Sequence, residues 1–178
     1  ARVTKKVQPE RAWVESEEEK ETQDVQPPDM MKNLYVEGRE WYYGTNFKYD
    51  GIRGQVMIEA AATSGVAFAE AECIYMGWGG REEDVNKAFE MFMKLAGEGK
   101  DESFALIGHL IGSCYEHGKG VEKDLVKAFE WYTKAADKGD SIAMWKLSVC
   151  YEYGYGVAKN LSKRFEWMKK ASECGNHR

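Results

Sequence analysis

The sequence predicts an all-α fold, an α/α superhelical solenoid of about four helix-turn-helix repeats. Three observations carry that expectation. One phrase is written three times, as Asp84-Val-Asn-Lys-Ala-Phe-Glu, Asp124-Leu-Val-Lys-Ala-Phe-Glu and Asn160-Leu-Ser-Lys-Arg-Phe-Glu, at offsets of 40 and then 36 residues. A fixed period in this range marks an array whose units cannot bury their apolar faces alone, so they stack and share one core. Between the phrases, apolar residues recur at helical spacing and glycines stand where helices would end. No alternating strand pattern is present.

Composition sets the bounds. The 178 residues are 43% hydrophobic, which is enough for a core. No apolar run approaches the roughly 18 residues of a membrane-spanning helix. The net charge of −5 is mild, and it argues against a general nucleic-acid binder, which would usually be basic. No charged-then-apolar leader opens the sequence, so no signal peptide is expected, and a transit peptide already removed would leave no trace. The expected location is therefore intracellular, in the cytoplasm or an organelle lumen.

Residues 1–29 read as a separate acidic arm. All three prolines (Pro9, Pro27 and Pro28) lie there, and five basic residues face eight acidic ones. Trp13 is its one aromatic residue. Such a segment buries too little apolar surface to offset its ordering entropy alone. It stands either as a disordered tail or as a docking arm anchored by Trp13-Val14 with a short acidic helix behind. A third possibility is that it folds back on the first repeat. Pro27-Pro28 would stop it and leave Asp29 to cap the next helix.

From residue 30 onward the chain reads as paired helices, in approximate repeats 30–65, 66–99, 100–139 and 140–178. The first is degenerate: Asp50 lies 34 residues before Asp84, and Gly51 and Gly54 weaken the start of its second helix. In the second, Tyr75 precedes the turn Gly77-Trp78-Gly79-Gly80, and Asp84 caps a helix with Val85, Phe89, Phe92 and Leu95-Ala96 on one face. The loop length there differs, so its register is open. The third unit sets Ile107, Ile111 and Tyr115 on one helix, breaks at Gly118 and Gly120, and is recapped at Asp124. In the fourth, Ala143, Leu147 and Tyr151 precede Gly154-Tyr155-Gly156, and Asn160 caps a helix lined by Leu161, Phe165, Met168 and Ala171. Cys73, Cys114 and Cys150 fall near equivalent places, the pattern of small buried thiols rather than of a disulfide frame or a metal site.

These residues bring a family into view. Tyr115, Gly118, Gly120, Val121, Asp124, Lys127, Ala128, Trp131, Tyr132, Lys134, Ala135, Ala136 and Gly139 together resemble a Sel1-like repeat. The next copy matches at Tyr151, Gly154, Gly156, Val157, Lys163, Trp167, Lys170, Ala171 and Gly175, and it departs at Asn160, Arg164 and Met168. The copy at 66–99 keeps Gly80, Asp84, Lys87, Ala88 and Ala96 but carries Met91-Phe92 in place of Trp-Tyr. The resemblance covers roughly 30–178. It implies a tetratricopeptide-related superhelix that acts as an adaptor or scaffold, and it supplies no shared catalytic residue.

The chemistry-bearing residues add little to that. His109 and Ser113 lie one turn apart with no acid in view to complete a triad. His117 is three residues from Cys114, with no second pair at zinc spacing. The glycine-rich turn at 77–80 follows a helix and has no Gly-Lys-Ser/Thr after it, so it is not a phosphate cradle. Neither cofactor nor metal is expected, and no enzyme activity. Binding is expected on the inner face, at Tyr35, Arg39, His109, Ser113, Trp145 and Val149, and one step past the core aromatics at Tyr42, Met76, Glu116 and Glu152. Trp145 and Tyr42-Tyr43 would be the anchors, with Arg39 supplying charge, although packing against a neighbouring repeat would explain Trp145 or Tyr42 equally well. The leading reading is a non-enzymatic adaptor that grips a peptide segment of a protein partner. The alternative is an accessory or assembly subunit of a large, possibly organellar complex, docked through the arm and Trp13.

Overall fold

The computed structural model describes residues 27–44, 50–97 and 101–174. Trp13, the rest of the arm to residue 26, Gly99, Gly175 and His177 lie outside the described residues. Eight helices follow in order: α1 Pro27–Tyr43, α2 Gly51–Thr63, α3 Ala67–Met76, α4 Val85–Gly97, α5 Asp101–His117, α6 Leu125–Asp137, α7 Ser141–Tyr153 and α8 Leu161–Cys174. No strand occurs among the described residues. Each helix packs on its chain neighbours, giving an all-α repeat solenoid.

The repeated phrase works as a helix start. Asp50, Asp84, Asp124 and Asn160 each turn a side-chain oxygen onto the backbone N–H three residues on, at 2.9–3.0 Å. That satisfies a donor the first helical turn leaves orphaned. The same residue's own N–H donates back to the preceding helix, Asp124 to the Tyr115 carbonyl and Asn160 to that of Tyr151 at 2.9 Å, and Asp50 to that of Trp41 at 3.0 Å. The loop is therefore closed at both ends in each unit.

Three details differ from the expectation. Helix α1 begins at Pro27, so Asp29 lies within its first turn instead of capping it. Proline needs no N–H partner in a first turn, so the Pro-Pro pair opens the helix. Gly54 does not mark a weak start either. A Cβ there would meet the Tyr42 backbone and, at 2.6 Å, the Gly38 carbonyl. The glycine lets α1 and α2 cross at close range. In the second unit, Asp84 donates to the Ile74 carbonyl. Ile74, not Tyr75, thus stands where Tyr115 and Tyr151 stand, and the loop after it carries one extra residue.

Units join through a repeated aromatic step. Tyr115 meets Phe89 edge-on at 5.6 Å, and Tyr151 meets Phe129 at 5.5 Å. Such pairs add about 0.5–1.5 kcal/mol beyond area burial. Alanines 88, 96, 128, 135 and 136 are buried where helices cross, and Phe92 and Tyr132 are fully buried. Burying each of those rings contributes roughly 1.5–3 kcal/mol.

Candidate functional site

The first helices of the units, α1, α3, α5 and α7, converge on one side of the array. Counted back from the capping residue, Tyr35, Phe68, His109 and Trp145 share one position. Arg39, Glu72, Ser113 and Val149 share the next, one turn on. These two rows form one ridge, and they are used differently along its length.

At the front the ridge is closed by hydrogen bonds. Tyr35 and Tyr43 donate their hydroxyls to the two carboxyl oxygens of Glu72, at 2.7 and 2.5 Å. Arg39 lies between the rings of Tyr35 and Tyr43, 5.7 and 5.9 Å from their centroids. Its Nη2 reaches the His109 ring, 3.0 Å from Nδ1 and 3.4 Å from Nε2. His109 Nδ1 is also 2.8 Å from Asp140 Oδ2. The tautomer that suits both neighbours donates from Nδ1 to Asp140 and keeps Nε2 as acceptor for Arg39. Asp140 is in turn the N-cap of α7, accepting from Ile142 N at 3.0 Å. Tyr35, Arg39, Glu72, His109 and Asp140 are all buried. One network thus ties the first helix to the third unit and to the start of the fourth.

Its electrostatics follow from that placement. Burial works against the Asp140 carboxylate, but His109, Arg39 and the Ile142 N–H hold its pKa below the ordinary value. Burial also opposes the Arg39 charge, while Tyr35, Asp140 and Glu72 hold the guanidinium above its usual value. Burial, then Glu72, push the Tyr35 and Tyr43 hydroxyls well up, so both remain donors. Arg39 Nε has no hydrogen-bond partner among the described residues. A small cleft of about 100 Å³ opens beside Arg39, bordered by Val36, Leu106, Asp140 and Ile142.

The His109 neighbourhood corrects one expectation: an acid does accompany that histidine. Ser113 Oγ, however, sits 3.4 Å from His117 Nδ1. The arrangement is a clasp that joins α1, α3, α5 and the start of α7. Among the described residues no cluster of three or more His, Cys, Asp or Glu could hold a metal ion.

At the rear the ridge is open. Trp145 is 46% exposed, with Val149 and Glu152 half-buried at the next two turns of α7. Lys146 Nζ stands over the rings of Trp145 and Tyr132, at 5.6 and 5.8 Å, and pairs with Glu116 at 3.0 Å. Glu116 also accepts from Tyr132 Oη at 2.5 Å. Burial raises its pKa, but Tyr132 and Lys146 outweigh that and leave it lowered. Glu152 pairs with Arg164 of α8 at 3.0 Å.

The structure therefore brings Tyr35, Arg39, Tyr43 and His109 together in the clasp, and Trp145, Val149, Glu152 and Glu116 around the open end of α7. Tyr42 is half-buried against Trp78 at 4.6 Å, and Met76 packs on the core. Glu72, Phe68 and Asp140 were not anticipated. An acid inside the otherwise apolar run Ala71–Tyr75 was the available signal for Glu72.

A family model described as Sel1 repeat matches residues 60–99, 109–140 and 141–176. Among solved structures, a Sel1 repeat protein from Oxalobacter formigenes is similar at 26% identity and a TM-score of 0.55, over 82% of this chain and 57% of that one. A protective antigen of uropathogenic Escherichia coli strains, displaying an SLR fold, is similar at 22% identity and a TM-score of 0.53, over 85% of this chain and 35% of that one; this likeness bears on fold alone. The chain thus spans 57% and 35% of the lengths of these two structures. No curated protein matches.

Proposed function

The chain belongs to the Sel1-repeat family, and on that premise we propose that it is a non-enzymatic adaptor whose open contact surface is the α7 ridge. Sel1-repeat proteins generally mediate protein–protein interactions and are generally non-catalytic. No helix among the described residues is long and apolar enough to cross a membrane. The observation that carries the reading is Trp145, a large aromatic left 46% exposed at a ridge position where Tyr35 and His109 are buried. Aromatic residues dominate binding energy when a partner encloses them. Val149 and Glu152 extend the same face by two turns, so the ridge suits an extended or helical segment of a protein partner with an apolar side chain for Trp145.

The test uses the full chain as bait in an extract of its source cells, with bound proteins identified by mass spectrometry. Wild type and Trp145→Ala are compared with Met93→Ala, a control at an exposed site on α4. A partner retained by wild type and the control but reduced at least about tenfold by Trp145→Ala supports the reading. Equal capture by all three removes Trp145 from the site.

A further inference from the structure

Helix α8 carries an apolar face that its equivalents bury or half-bury. Leu161 is 70% exposed, Phe165 67% and Met168 37%. At the same positions Val85, Phe89 and Phe92 on α4, and Leu125, Phe129 and Tyr132 on α6, are half-buried or buried. What covers those residues follows one rule. The next unit sets an aromatic residue on the phenylalanine, Tyr115 on Phe89 and Tyr151 on Phe129. Five residues later it lays a glycine against the start of the covered helix. Gly120 lies over the Val85 carbonyl and Gly156 over that of Leu125, both at φ near +70° and both too close for a Cβ. The surface on α8 continues an interface the molecule already forms twice.

The same chain offers the complementary piece at its other end. Trp41 stands where Tyr115 and Tyr151 stand, its carbonyl accepting from the capping Asp50 N–H. Arg53 lies over its ring at 4.3 Å, as Lys127 lies over Tyr115 at 5.5 Å and Lys163 over Tyr151 at 5.3 Å. Gly44 follows at φ 70°, matching Gly118 and Gly154. Charge agrees as well: α8 carries four basic residues against two acidic, whereas α1, with buried Arg39 set aside, carries Asp29, Glu37 and Glu40 against Lys32.

We propose that the α8 face is a docking surface for the α1 end of a second copy of this chain, so that protomers join head to tail. Phe165 of one copy meets Trp41 of the next, in the place Phe129 gives to Tyr151. Such a contact is heterologous, and repetition extends it into an open string or a closed ring.

Light scattering and sedimentation of the full chain across a wide concentration series test this. Mass should climb past the dimer in steps of the 20.3 kDa protomer. Phe165→Glu removes the rear surface and Trp41→Ala the front one, and each alone should weaken self-association by at least about 30-fold. Mixed one to one, the two variants should give a single heterodimer and nothing larger, because each retains the end the other lacks. If Trp41→Ala fails to fold, Glu37→Lys supplies the front-end change at an exposed site. Wild type that stays monomeric at every concentration overturns the proposal. So does a Trp41→Ala chain that still dimerises, since that result means two α8 faces pair with each other.

Discussion

The ridge is sealed at its front and open at its rear, although one repeat geometry builds both. At the front, Tyr35, Arg39, Glu72 and His109 are buried and joined to Asp140 by hydrogen bonds. At the rear, Trp145 holds the position of Tyr35 and His109 yet stands 46% exposed. The repeated phrase fixes caps and packing, and it is indifferent to what the ridge displays. The residues it leaves unspecified decide whether a stretch of ridge clasps its own neighbours or stays open to another molecule.

That contrast is open to direct attack. Arg39→Ala leaves Asp140 and Glu72 buried without their cation, and it should cost about 3–5 kcal/mol in urea unfolding. Trp145→Ala should stay within about 0.5 kcal/mol, as surface changes do. Equal losses at the two sites would erase the distinction between the ends. A finer comparison uses two phenylalanines from the same phrase. Phe129→Ala should cost about 2–3 kcal/mol, because it opens a gap against Tyr151. Phe165→Ala, measured in dilute solution, should cost about 0.5 kcal/mol, since most of that ring already meets water.

The smallest expected effect is in pH. Asp140 and Glu116 both have folded pKa values below the ordinary carboxylate value. The stability they contribute is present above the unfolded pKa, near 4, and is lost as pH falls through the lower folded values. The urea midpoint should therefore hold steady from neutral pH down to about 5 and drop below about 4. Asp140→Asn should flatten that drop more than Glu116→Gln, because Asp140 is buried while Glu116 is half-exposed.

Much of the scaffold could be read from the chain alone. Eight helices in four pairs, the caps at Asp50, Asp84, Asp124 and Asn160, and the buried alanines follow from local propensity and period, which are short-range properties. The clasp could not be read that way. Its bonds join residues 37, 70 and 31 positions apart, and only the packing of the stacked units brings them together. A slip of one residue in the second unit added to this. Aligning Tyr75 with Tyr115 placed Met76 in the set one step past the core aromatics and left Glu72 unnoticed, whereas the Asp84 to Ile74 bond restores the register. Asp140 caps the start of α7 where Val66, with no side-chain cap, precedes α3, a change of character that only a packed neighbour such as His109 makes meaningful.

The cysteines have a practical consequence. Cys73, Cys114 and Cys150 are buried free thiols in successive units, and Cys174 is exposed. Burial pushes the Cys114 thiol up to about 12 and those of Cys73 and Cys150 to about 11, so each is shielded and also held in its unreactive protonated form. A maleimide should therefore label the native chain at Cys174 alone, giving a single attachment point for a dye. Each slower modification would time the opening of one particular unit, so the chain carries its own clock for local unfolding.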